Sequence, residues 1–216
     1  MSLGSVGKAE PSQFSGVRKL LLIPFVGRIV DDEKMKELVG RYWVEVNEQV
    51  AKLEAGLGFI AHLYHEGAVE GGESAAAMLK QNNPEGQLFL EGCSEKNIAF
   101  ELTEQFDTLL EVMDLQRCMM TGFATQKVAD QISNWYKEAQ QRRYEMIAKN
   151  IDQTLHENEV GILIISQDHQ IQFPSDIQIF YVAPPVLNDI HKFIRDIQSA
   201  SKNPPETPPP DEEDQK

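Results

Sequence analysis

The chain has 216 residues, 41% of them hydrophobic and 25% charged, which suits one domain with a substantial core and is short for two. Its net charge is −14, and residues 201–216 hold five acids and two bases, so about −11 belongs to the body. A surface this acidic repels phosphate backbones and anionic lipid, which argues against nucleic-acid and membrane partners.

Met1–Gly16 is small and polar with no apolar run, so it is expected to be disordered and not to act as a signal peptide. Two cysteines, Cys93 and Cys118, suggest reduced thiols and a cytoplasmic location rather than a disulfide framework. Leu20–Val26, LLLIPFV, reads as a buried strand, with Pro24 implying a bulge or an edge position. Asp31-Asp32 is placed to cap a helix, and Met35, Leu38, Val39, Tyr42, Val46, Val50 and Leu53 recur at three- and four-residue spacing, with Gly56 as the stop. Phe59–Tyr64 is a second strand, so a βαβ unit is expected. Ser74–Lys80 reads as a short helix, Asn82-Asn83-Pro84 as a turn, and Leu88–Leu90 as a third strand ending at Glu91.

A long helical insertion is expected between the third and fourth strands. Ile98, Leu102, Phe106, Leu109 and Met113 form one apolar stripe. Beyond a break at Thr121-Gly122, a second stripe runs from Val128 to Leu155. Val160–Ile165, VGILII, is apolar at every position but the glycine, the mark of a strand buried on both faces. Ile177–Val182 follows too closely for an ordinary parallel crossover, so an antiparallel or bridged pairing and a mixed sheet are expected. Val186–Ser199 is a last amphipathic helix, and residues 201–216, with PPETPPPDEED, read as a disordered, acidic, proline-rich tail. The expected organisation is a single α/β domain over 17–200: a mixed sheet of about five strands, flanked by helices.

Ligands of open α/β sheets bind beyond the carboxyl ends of the strands. His65-Glu66, Glu91 and Asp168-His169 are the ionisable groups expected there. Glu66, Glu91 and His169 are candidate acid–base residues, and His65 and Asp168 candidate ligands for a divalent metal, the one cofactor these residue types suggest. Arg142 and Arg143 are candidates to bind an anionic group of a substrate, though ion pairing within an acidic protein is the commoner role. His62 and His65 would point to opposite faces of a strand, so they make a poor ligand pair. Cys118, beside Met119 and Met120, reads as core, and Cys93 as the more exposed thiol. No dinucleotide, Walker or GxSxG motif is present.

Arg142/Arg143, Met146-Ile147-Ala148-Lys149-Asn150-Ile151, an apolar strand and then Ser166-Gln167-Asp168-His169 resemble the C-terminal half of the TraB/ChaN/erythromycin-esterase-like superfamily. There an arginine opens a helix of the form R-x-x-M-A-x-x-I and a strand ends in G-x-x-H. The chain has Ser166 at the motif glycine and no histidine in Gly27-Arg28-Ile29-Val30. The resemblance spans about 30 residues and implies a related fold more directly than an activity. It implies for Glu91, ending LFLE, the place of the family's strand-end glutamate. Two functions follow as expectations. One is a small-molecule-binding or hydrolytic protein with a Glu/His/Arg cleft. The other is a non-catalytic interaction or regulatory protein that uses its helical surface and acidic tail to meet a protein partner.

Overall fold

The computed structural model describes residues 16–28 and 30–202. The expected disordered ends, 1–16 and 201–216, lie outside the described residues apart from Gly16, Ser201 and Lys202. Five strands, β1 (Arg18–Pro24), β2 (Ile60–His65), β3 (Ala99–Phe100), β4 (Val160–Ile165) and β5 (Ile177–Tyr181), form one sheet in the order β3-β2-β4-β1-β5. Every pairing in it is parallel. The helices are α1 (Glu33–Leu57), α2 (Gly72–Asn82), α3 (Gln87–Glu95), α4 (Phe106–Met120), α5 (Gln126–Thr154) and α6 (Val186–Lys202).

The apolar runs of β1 and β4 serve two cores at once. Leu21, Ile23, Ile162 and Ile164 face α1, α2, α3 and α6, whereas Leu20, Leu22, Leu163 and Ile165 face the C-terminal half of α5. That alternation is the two-residue period of a strand, here apolar on both sides because helices cover both faces. Gly161 is required at its position. A Cβ there would stand 3.1 Å from the Tyr64 ring, 3.2 Å from Leu20 and 3.3 Å from Leu155.

The sheet is parallel rather than mixed. β4 and β5 are not neighbours: each pairs with β1, on opposite sides. Their short connection, residues 166–176, crosses β1 as an extended loop, and its Ile171 and Phe173 fill the second core where a crossover helix would otherwise pack. β1 is therefore interior despite Pro24. The proline closes the strand, and β5 pairing ends at Leu22, so the absent N–H falls beyond the partner strand.

Leu88–Leu90 is helical and not the third strand. Phe89, Leu90 and Cys93 line one side of α3 at helical spacing and enter the first core, and Leu88 is exposed. The third strand is instead the two residues of β3. The thiol expectations reverse as well: Cys93 is buried, where burial pushes its pKa up to about 12, and Cys118 is exposed.

Asp32 caps α1 by accepting the N–H groups of Lys34 and Met35 at 2.9 and 3.1 Å. The helix runs past Gly56 to end at Gly58, whose φ of 112° suits only glycine. Gly122, at φ 73°, separates α4 from α5. α4 has α5 as its chief partner, and among its described residues only Val112 is buried. No helix among the described residues is long and apolar enough to cross a membrane.

Candidate ligand site at the ends of β2 and β4

Chain order and sheet order together place a crevice. From β2 the chain moves outward to β3 with helices on the first face. From β4, beside β2, it moves the other way to β5 along the second face. Adjacent parallel strands whose connections diverge leave a gap beyond their carboxyl ends, where ligands of such sheets bind.

Glu66 bridges that gap. It follows the last residue of β2, and its carboxylate accepts the backbone N–H of Ser166, just past β4, at 2.6 Å and the Ser166 hydroxyl at 3.1 Å. Arg143 reaches in from α5, donating to Glu66 Oε1 at 2.8 Å and to both oxygens of Glu104 at 2.5 and 2.6 Å. Glu104 is 1% exposed and Arg143 7%. Glu104 also accepts the Gly67 N–H at 2.7 Å. The loop that presents it is anchored where Thr103 accepts the His65 N–H and where the amides of Thr103 and Glu104 both donate to the Ala68 carbonyl.

Burial alone would raise the Glu66 pKa. The Arg143 and Ser166 hydrogen bonds and the Arg143 charge outweigh it and hold the carboxyl below its usual range. Burial likewise opposes the charge on Arg143, and the two glutamates more than restore it. Glu66 and Glu104 thus share one guanidinium in a single hydrogen-bonded frame.

His65 stands beside it. The residue is 6% exposed, and its Nδ1 lies 2.5 Å from the Glu66 carbonyl oxygen. A carbonyl only accepts, so Nδ1 carries a proton, and in the neutral ring Nε2 is then the acceptor. Nε2 is buried and without a hydrogen-bond partner. Burial drives the His65 pKa down, with the neighbouring carbonyl and carboxylates offsetting it only in part, so the ring is neutral. It lines a cavity of about 380 Å³ with Phe25, Glu66, Leu79, Asn83 and Ser166.

The other expected site residues divide between neighbourhood and surface. His169 is half-buried across the frame, where its Nδ1 accepts the Ile171 N–H at 3.3 Å. Burial lowers its pKa against the nearby charges of Glu66 and Asp168. Asp168 and Arg142 both line an open groove beside α5, about 820 Å³ in volume. Arg142 is exposed and paired with Glu111 on α4 at 2.7 Å, so it is not one of the crevice groups. Glu91 is not at a strand end. It sits on α3, where it accepts from Gln87 at 2.6 Å, because the segment expected as a strand is a helix. Among the described residues no group of three or more His, Cys, Asp or Glu side chains could hold a metal ion, so His65 and Asp168 form no ligand set with the glutamates.

Glu104 was not among the sequence candidates. It follows a two-residue strand that no alternation announces, and its partner Arg143 lies far along the chain. Phe25 and Asn83 read as the end of an apolar run and as a turn, and only the fold makes them walls of a cavity. Comparison with protein-family models, curated proteins and solved structures gave no match.

Proposed function

We propose that this protein binds a small molecule in the crevice beyond β2 and β4. The observation that carries the reading is Glu66, whose carboxylate joins the ends of the two diverging strands while Arg143 fixes it from α5. A charged frame this well satisfied is built to hold neighbouring groups still rather than to react. The group left to act on a ligand is His65, neutral and oriented, with Nε2 available to accept a proton from a bound hydroxyl, amide or water. Hydrolysis is the reaction in keeping with the TraB/ChaN/erythromycin-esterase-like resemblance. On this reading the helix-borne arginine of the resemblance corresponds to Arg143, while Glu91, its match for the strand-end glutamate, lies on α3 and outside the crevice.

A fragment library screened by ligand-observed NMR, with hits mapped on the backbone amides, tests this proposal. Hits should shift the Gly67 and Ser166 amides. Hits that leave both unmoved and perturb only remote surfaces contradict it.

A second reading, an interaction protein, draws on the α4–α5 arm. Phe106, Leu110, Met113 and Met120 on α4 and Val128 and Trp135 on α5 are exposed. An apolar set of this kind, on two helices whose main contacts are with each other in the case of α4, suits a protein partner. Sedimentation of the wild type against Met120→Glu tests it: self-association that the substitution abolishes favours this reading, and identical monomeric behaviour leaves the crevice as the better account.

A further inference from the structure

The α4–α5 arm carries a pattern that the crevice does not use. Of residues 106–138 only Val112 is buried, and α4 has no other partner comparable to α5, so Val112 marks the side of α4 that meets α5. The exposed apolar residues of α4 follow a different line. Phe106, Leu110, Met113 and Met120 are 58%, 40%, 38% and 82% exposed. Their steps of four, three and seven residues are those of the a and d positions of a heptad. With 3.6 residues per turn, this line lies about 120° round the helix from Val112. A strict a/d line is the seam by which one helix packs on another, narrower than the face a helix turns to a globular core.

Arg117 fills the one seam position left between Met113 and Met120. It is exposed and pairs within its own helix, with Asp114 at 2.9 Å. A charged residue in a seam costs stability and selects the partner and its direction.

From this seam we infer that α4 pairs antiparallel with α4 of a second copy of the chain. The inference rests on the interaction-protein reading, is independent of the crevice, and names the partner. Taken in opposite directions, positions 106, 110, 113 and 117 complement themselves. Leu110 of each copy meets Met113 of the other at the centre, and Phe106 of each meets Arg117 of the other at the ends. There the guanidinium lies against an aromatic ring, between Asp114 of its own helix and Asp107 of the second copy. Parallel pairing would instead set Arg117 against Arg117 in one layer, with like charges opposed. Two-fold symmetry supplies the Phe106–Arg117 match twice over, which an unrelated helix would not.

The test is sedimentation equilibrium of the full chain at about 1–500 µM, a range suited to a small and therefore weak interface. The wild type should pass from monomer to dimer and stop there. Leu110→Glu should weaken the dimer at least about tenfold, because it puts a charge in the centre of the seam. Arg117→Glu should weaken it as well, and adding Asp107→Lys should restore it. Circular dichroism checks that each variant keeps its helix content. Direction is read by a nitroxide on Cys118, the exposed thiol, since Cys93 is buried. The two labelled Cα atoms should stand about 22 Å apart in the antiparallel pair, against about 10 Å in a parallel one.

A short Cys118 distance, or an Arg117→Glu loss that Asp107→Lys does not repair, overturns the antiparallel register. Association that survives Leu110→Glu but is lost on Met120→Glu overturns the α4 pairing and leaves the arm as an interface. A monomer at every concentration overturns both. The wild-type series and the Cys118 distance give their answers even if a substituted chain does not fold.

Discussion

Arg143→Met is the perturbation that most severely loads the frame. The substitution keeps an unbranched apolar stem in the space Arg143 occupies and removes its charge and its donors. Glu104, 1% exposed, would keep only the Gly67 N–H, whereas Glu66 would keep both Ser166 donors. The loss therefore concentrates on Glu104. Removing one partner of a buried ion pair typically costs about 3–5 kcal/mol, and this site belongs at that level because both Glu104 oxygens depend on the guanidinium. Urea unfolding, with linear extrapolation to water, reads the cost. Adding Glu104→Gln removes the uncompensated charge, so the double variant should recover much of the loss. The two sites should couple by about 2 kcal/mol or more in the resulting cycle. A single variant that loses less than about 1 kcal/mol, or strictly additive effects, would refute the view that Arg143 and Glu104 act as one buried unit.

Ile164 is fully buried in the central strand, so Ile164→Ala should cost about 2–5 kcal/mol in the same assay, and a loss under about 1 kcal/mol would contradict that burial. Gly161→Ala forces a methyl against Tyr64, Leu20 and Leu155 and should cost about 1–3 kcal/mol, while an unchanged midpoint would mean that these side chains yield freely. His65 has a folded pKa depressed below its ordinary value of 6.5, so below pH 6.5 the unfolded chain takes up a proton that the native state does not. Stability should therefore fall as pH drops from 6.5 toward the depressed value, and His65→Phe should flatten that part of the curve; an unchanged slope would contradict a neutral buried imidazole. Glu66 acts in the same direction at lower pH, its contribution being present above the usual carboxylate range and lost as pH falls through its depressed folded pKa.

What the sequence disclosed followed from local patterning. Val160–Ile165 announces a doubly buried strand because every position but one is apolar, and the structure has β4 over those same residues. The α1 stripe is visible because its buried side chains recur at helical spacing, though Gly58 and not Gly56 ends the helix. Sheet order is a different kind of fact. Nothing local distinguishes a hairpin from a loop that steps across β1, because what fixes the parallel register of β5 is backbone pairing with Leu20–Leu22, more than 150 residues earlier. LFLE reads as a strand because three apolar residues in four suit a short strand as well as a short helix, and the core-facing spacing appears only when Cys93 is counted.

The site was half legible for the same reason. His65 and Glu66 could be found because a strand's apolar run ends in ionisable residues, and Arg143 because it lies within a helical stripe that faces the body. Glu104 and Asn83 could not, since each acquires its role from a residue distant in the chain or from a wall built by other elements. Arg142 and Arg143 are indistinguishable as letters. One helical step turns Arg143 into the body, where it meets Glu66 and Glu104, and leaves Arg142 exposed beside Glu111.

The most direct measurement of the central claim is a crystallographic fragment screen on the full chain. Fragment density should gather in the crevice bounded by His65, Glu66 and Ser166. Fragments collecting along Met120 and Trp135 on the α4–α5 arm, with the crevice bare, would contradict it.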